Sequence, residues 1–164
     1  GCRRNVDLTV VLFNNNIYGM TGGQTSPTTP TGMSTTTAPY GTVDRVLDAC
    51  RIAEAAGATY VARSTAFHVK HLTQMIAGGL GSHGFSLIEA IVQCPTAYGR
   101  RNKMGTPAAM LSWMRDHAVM KSAWDKLPPE KRTPDKFPIG LLYSCEGAEY
   151  GAANTEIMRR AGGL

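Results

Sequence analysis

Two stretches of this chain carry residue types that could do chemistry. The first, Asn14-Asn15-Asn16-Ile17-Tyr18, follows directly on the apolar, β-branched run at residues 6–13. A carboxamide oxygen is a hard, neutral ligand suited to Mg²⁺, an ion that proteins usually hold through a few oxygens shared with phosphate groups. The adjoining Gly19-Met20-Thr21-Gly22-Gly23-Gln24 brings flexible backbone to the same point, and free N–H groups there could cradle a diphosphate. An Asn- and Gly-rich run also makes an ordinary turn after a strand, so residue types alone leave both readings open. The continuation Thr25-Ser26-Pro27-Thr28-Thr29 is more particular than a generic turn requires. The second stretch is Cys94-Pro95-Thr96 with Arg100 and Arg101 behind it. Taken alone, Cys94 reads as a buried thiol. The arginine pair offers bidentate forks for a carboxylate, although exposed arginines are commonly just solvated.

Other functional classes fit poorly. The four cysteines, Cys2, Cys50, Cys94 and Cys145, form no CxxC pair and no short regular spacing, which argues against a zinc site. No secretory signal is visible, so disulfides are not expected and the protein is expected to be cytoplasmic. No run of about 18 apolar residues suggests a membrane span. The net charge of +5 is spread over scattered basic groups rather than a stripe interleaved with aromatics, so nucleic acid is not expected as a partner. A mildly basic surface suits an acidic partner or an anionic substrate. His68, His71, His83 and His117 read as surface or capping residues.

The elements that must position these residues follow from periodicity. Residues 6–13 read as a buried strand of a parallel sheet. Residues 14–42 form a long, nearly uncharged loop, a length that is uncommon in a compact domain unless the loop binds something. Thr42 is a candidate N-cap for a helix through Val43, Val46, Leu47, Cys50 and Ala53 that stops at Gly57. A strand at 59–63, a helix from Val69 closed by Gly78, Gly79 and Gly81, and a strand at 85–93 come next. A helix is predicted from Pro107 to about Ala123, then a proline-rich connector, a strand at 139–143 and a short helix near 154–160. This order predicts an α/β domain with a mostly parallel sheet and right-handed crossovers. Ligands of such sheets sit outside the carboxyl ends of the strands, where Asn14–Asn16 fall. Residues 1–5 run into the first strand without a cap or turn, so the chain is expected to begin part-way into its domain.

The segment NNNIYGMTGGQTSPTTP resembles the second half of the thiamine-diphosphate signature in β subunits of 2-oxoacid:ferredoxin oxidoreductases. The first half, a Gly-Asp-Gly segment that supplies an Asp ligand to the metal, lies upstream in that family and is absent from residues 1–13. The resemblance implies a thiamine-diphosphate-binding fold over residues 1–143, with 144–164 as a tail that departs from the family. It implies that Asn15 gives a side-chain oxygen and Ile17 a backbone carbonyl to Mg²⁺. Gly19 and Thr21 would lie along the diphosphate, and Met20 would be the apolar wedge beneath the cofactor. A second segment, GFSLIEAIVQCPTAYGRRN, resembles the part that carries the fourth cysteine of a [4Fe–4S] cluster, which makes Cys94 an iron ligand. A cysteine at a strand end, fixed by the following proline, suits that task. GRRN and MGTPAAMLSWMRDHAV look most like the 2-oxoglutarate branch.

The implied reaction is CoA-dependent oxidative decarboxylation of 2-oxoglutarate to succinyl-CoA and CO₂ with reduction of ferredoxin. An α subunit would complete the substrate and coenzyme A sites, so the chain is expected to be inactive alone. Three alternatives stay open: a related enzyme for pyruvate or branched-chain acids, a non-oxidative thiamine-dependent decarboxylase or synthase, and a non-catalytic interaction module. The second needs no cluster, so Cys94 would not matter to its iron content.

Overall fold

The computed structural model describes residues 1–162. Strand β1 (Leu8–Asn14) leads into a long irregular loop, followed by α1 (Ala49–Ala55), β2 (Tyr60–Thr65), α2 (Val69–Leu80) and β3 (Phe85–Ile91). A single π-helical turn (Pro95–Gly99) and α3 (Pro107–His117) come next. The chain then adds β4 (Ala118–Met120), the short α4 (Lys121–Trp124), β5 (Phe137–Ser144) and α5 (Tyr150–Arg160). The five strands form one sheet in the order β1-β3-β2-β5-β4. β3 is parallel to both β1 and β2, whereas β5 runs antiparallel to β2 and β4 parallel to β5. The expected mostly parallel α/β sheet is therefore present.

Strand order explains why the helices lie on opposite faces. The chain passes from β1 over the position of β3 to reach β2, then turns back to fill the gap with β3. Two right-handed crossovers in opposite directions put α1 on one face and α2 on the other. Side-chain alternation matches this arrangement. Val61, Phe85 and Leu87 face Cys50 and Ala53 of α1. Tyr60, Ala62 and Ile88 face Leu72, Met75 and Ile76 of α2.

Several predicted boundaries move. The first helix is capped by Asp48, whose carboxylate accepts from the N–H groups of Cys50 and Arg51, and not by Thr42. Residues 43–48 form no regular element, and Val43 and Val46 are exposed. Thr42 instead belongs to the loop, exchanging backbone hydrogen bonds with Gly32 and Met33. Gly78 and Gly79 lie inside α2 rather than ending it. A Cβ on Gly79 would stand 2.6 Å from Ile88 Cδ1, and one on Gly78 2.5 Å from Tyr60 Oη. The glycines thus let the helix sit close on the sheet, and α2 stops at Gly81. The helix predicted as far as Ala123 ends at His117, because β4 extends the sheet there. The C-terminal helix is longer than expected, starting at Tyr150 with Glu149 as its N-cap.

Among the described residues no helix is long and apolar enough to cross a membrane.

Candidate active site at the carboxyl end of the parallel strands

Both sequence stretches meet beyond the ends of β1 and β3. Ile17, Cys94, Tyr98 and Met110 form one buried apolar cluster, with Met33, Ala97 and Met104 packed against it. The loop after β1 is organised by short polar contacts. Asn14 Oδ1 accepts from the N–H of Asn16 at 3.0 Å and from the Thr28 hydroxyl at 2.8 Å. Asn15 Oδ1 accepts from the N–H of Ile17 at 3.2 Å, and the Ile17 carbonyl accepts from the N–H of Gly19 at 3.0 Å. Asn16 adopts the left-handed conformation with φ 63°, which asparagine tolerates better than most residues. Its carbonyl accepts from the Thr29 hydroxyl at 2.7 Å. The two oxygens expected to hold a metal, Asn15 Oδ1 and Ile17 O, therefore belong to consecutive tight turns at the strand end. Each carries a second lone pair beyond the bond described.

Farther along, Tyr18 and Gln24 pair as a narrow hairpin, so that Gly19, Met20 and Thr21 form its tip. Met20 is fully exposed. The Thr21 hydroxyl donates to Gln24 Oε1 at 2.6 Å, which leaves its backbone, rather than its side chain, to face a ligand. The rest of the loop is held by hydroxyls. Thr25 and Thr35 share a 2.6 Å bond, and Thr29, Thr35 and Thr42 are buried. This explains why so long a segment needs no charge and no regular element: threonine side chains satisfy its backbone groups.

Cys94 lies directly against this loop. A Cβ built on Gly19 would stand 3.0 Å from Cys94 Sγ and 3.6 Å from Asn15 Nδ2. Burial alone would raise the Cys94 thiol. The N–H groups of Tyr98, Ala97 and Thr96, together with the Thr96 hydroxyl, donate toward the sulfur and hold it below the ordinary thiol range. The other described cysteines are elsewhere. Cys50 and Cys2 belong to the core under α1, and Cys145 lines a cleft with Thr59, His83 and Glu146. Burial, ahead of the neighbouring charges, pushes the Cys50 thiol well above the ordinary range, so it is an inert core group. Tyr98 is buried too, and burial raises its hydroxyl to about 12 despite a hydrogen bond with the Asn16 side chain.

Beneath the loop lies a network that sequence reasoning missed. Glu89 of β3 is 3% exposed. Its Oε1 accepts from Asn14 Nδ2 at 2.7 Å, and its Oε2 accepts from Arg63 Nε at 2.6 Å. Arg63 Nη2 also donates to Asp48 at 2.7 Å, and Cys50 Sγ approaches Glu89 Oε2 at 3.4 Å. Asp48, Cys50 and Glu89 lie close enough together to resemble a metal site, but the Arg63 guanidinium already supplies their cation. Burial opposes the charge on Arg63, and its neighbours together, Glu89 foremost and Asp48 with it, more than offset that, so the guanidinium stays charged. A Glu within FSLIEAI and an Arg within YVARST, each the lone charge in an apolar strand, were the available signal: such residues are buried only when paired.

A cleft of about 450 Å³ opens between the two stretches, lined by Gly19, Gly22, Thr96, Ala97, Arg100 and Arg101. Residues 1–90 match the family described as thiamine pyrophosphate enzyme, C-terminal TPP binding domain. The chain belongs to this family. Its sequence is 47% identical, over 92% of the chain, to the 2-oxoglutarate synthase subunit KorB of Methanocaldococcus jannaschii, of which it covers 55%. It is 40% identical to the 2-oxoacid:ferredoxin oxidoreductase subunit beta of Saccharolobus solfataricus, over 88% of this chain and 50% of that one. The fold superposes with a TM-score of 0.81 and 29% identity on a 2-oxoglutarate:ferredoxin oxidoreductase from Magnetococcus marinus, solved with 2-oxoglutarate, coenzyme A and succinyl-CoA bound. That match spans 99% of this chain and 56% of the other. The chain thus spans about half the length of the curated relatives it matches.

Proposed function

We propose that this TPP-family chain forms the cofactor-facing part of the β subunit of a 2-oxoglutarate:ferredoxin oxidoreductase. The reaction is the oxidative decarboxylation of 2-oxoglutarate with coenzyme A to succinyl-CoA and CO₂, with electrons delivered to ferredoxin. The α subunit completes the substrate and coenzyme A sites, and the complex works in the cytoplasm. The observation that carries this reading is the contact of the Gly19 loop with Cys94 Sγ. A thiamine enzyme that transfers electrons singly needs its redox centre beside its cofactor, whereas a non-oxidative decarboxylase does not.

The residues present fit the implied groups. The side-chain oxygen of Asn15 and the carbonyl of Ile17 hold Mg²⁺, both being hard oxygen donors. Gly19 leaves a cradle that a Cβ would fill, and with Thr21 it lines the diphosphate. Met20 projects without protein contacts where an apolar body is wanted beneath the cofactor. Cys94 supplies one thiolate to a [4Fe–4S] cluster, and the N–H donors around the sulfur favour that form. When bound, thiamine diphosphate supplies the carbanion chemistry and the cluster takes the electrons. The chain's own task is to hold these groups, direct N–H donors at the sulfur and, through Tyr98 and Met110, pack around it.

The test uses the full-length subunit with its partner, purified without air. Bound thiamine, iron and sulfide are expected, with Cys94→Ser losing iron but keeping thiamine and Asn15→Ala losing thiamine. Met20→Ala should weaken thiamine retention without lowering stability, because the side chain is wholly exposed. A complex holding neither thiamine nor iron defeats the reading. Unchanged iron in Cys94→Ser favours a non-oxidative enzyme instead.

A further inference from the structure

Arg100 and Arg101 follow the π-helical turn that begins just after Cys94, and both are exposed. Among the described residues neither takes part in an ion pair. They are not on a convex surface: they line the cleft of about 450 Å³ whose opposite wall is Gly19 and Gly22. That volume lies in the range of small-molecule sites.

The two walls are fixed relative to each other. Asn102, immediately after the arginines, accepts from the N–H of Ser34 at 2.8 Å and donates to the carbonyls of Ser34 at 3.1 Å and Tyr98 at 3.0 Å. Two of these bonds tie the arginine turn to the loop after β1, and the third braces the turn itself. Gly23, with φ 89°, packs so closely that a Cβ there would lie 3.3 Å from Ala97 Cβ. Two arginines carried on a fixed turn beside a preformed cleft lose less freedom on binding than arginines on a mobile segment.

We infer that this cleft is an oxyanion subsite, in which Arg100 and Arg101 hold the carboxylate or phosphate end of a small-molecule reactant beside the cofactor loop. The inference rests on the proposed function, since the reactants are those of that reaction. Two of them carry an oxyanion remote from the reacting atom. 2-Oxoglutarate has a second carboxylate away from its keto carbon, and coenzyme A has phosphates away from its thiol. Either end needs a cation placed off the reacting centre, and a planar guanidinium fork matches both.

The experiment uses the full-length subunit with its partner and a viologen dye as electron acceptor, so that docking of a protein carrier does not enter the readout. Arg100→Gln, Arg101→Gln and the double variant are compared with the parent. The KM for 2-oxoglutarate is set against that for pyruvate, which lacks the second carboxylate. The KM for coenzyme A is set against that for pantetheine, which lacks the phosphates. Loss of a charge-assisted fork is expected to raise the KM of one charged reactant by about 10- to 100-fold in the double variant. Its truncated counterpart should be unaffected, and Lys at both positions should recover part of the loss. A shift in the first ratio assigns the carboxylate, and a shift in the second assigns the phosphate. The inference is overturned if neither ratio moves, if charged and truncated reactants worsen together, or if bound thiamine falls. A parent complex with bound thiamine and iron but no oxoacid-dependent dye reduction overturns the proposed function as well.

Discussion

Replacing Glu89 by glutamine tests whether the buried network supports the loop after β1. Glu89 Oε2 accepts from Arg63 and Oε1 from Asn14, at 2.6 and 2.7 Å. Glutamine offers one acceptor and one NH₂ group, so one of those two donors must meet another donor. Asn14 cannot simply flip, because its Oδ1 already accepts from Asn16 and Thr28. Removing one partner of a buried pair costs roughly 3–5 kcal/mol. Arg63 keeps its bond to the partly exposed Asp48, so the expected loss is smaller, about 2–4 kcal/mol. The assay is urea unfolding of the full-length subunit, read as a drop in midpoint at unchanged slope. The double variant Glu89→Gln/Asn14→Asp reverses the polarity of the lost bond, since the new amide on β3 then donates to a carboxylate while still accepting from Arg63. It should regain at least half of the loss, a non-additivity expected for side chains in direct contact. A single-variant loss below about 1 kcal/mol, or a double variant no better than the single one, refutes the network argument.

Gly79→Ala should destabilise the protein by about 1–2 kcal/mol even though alanine favours helix, because the new Cβ meets Ile88 Cδ1 at 2.6 Å; thermal unfolding reads the sign. His68 and His71 are both held below the ordinary imidazole value, His68 by burial and then by the charge of His71, and His71 by burial. The unfolded chain therefore binds protons first as pH falls. Stability is full above the unfolded value of about 6.5 and declines as pH drops from there through the folded values. Urea midpoints at neutral and mildly acidic pH should show this decline, and His71→Gln should flatten part of it.

The parallel part of the sheet was legible because β1, β2 and β3 are apolar runs bounded by Gly, Asn or Pro, a pattern that buried strands alone explain. The antiparallel β5 was readable as a strand but not in direction, since an edge strand's orientation depends on the connection that precedes it. The first helix starts later than its spacing predicts, because Val43, Val46 and Leu47 have helical periodicity while lying in the irregular loop and largely exposed. Asp48 takes the cap position because its carboxylate also bonds Arg63, a long-range contact that local spacing cannot reveal. The convergence of Gly19 with Cys94 was likewise invisible to periodicity. The two are 75 positions apart, and only the β1–β3 pairing brings their strand ends together.

The closeness of Gly19 to the Cys94 sulfur makes the two positions interdependent. A side chain of any size at 19 must displace the sulfur, the hairpin tip or both. Because the donors around Cys94 are backbone groups of the next turn, displacing the sulfur also changes its acidity. A change in the loop at this position therefore cannot be made independently of the chemistry of that thiol. Enlarging position 19 would therefore act in two places at once, on the surroundings of the Cys94 sulfur and on the room left in the cleft that Gly19 lines.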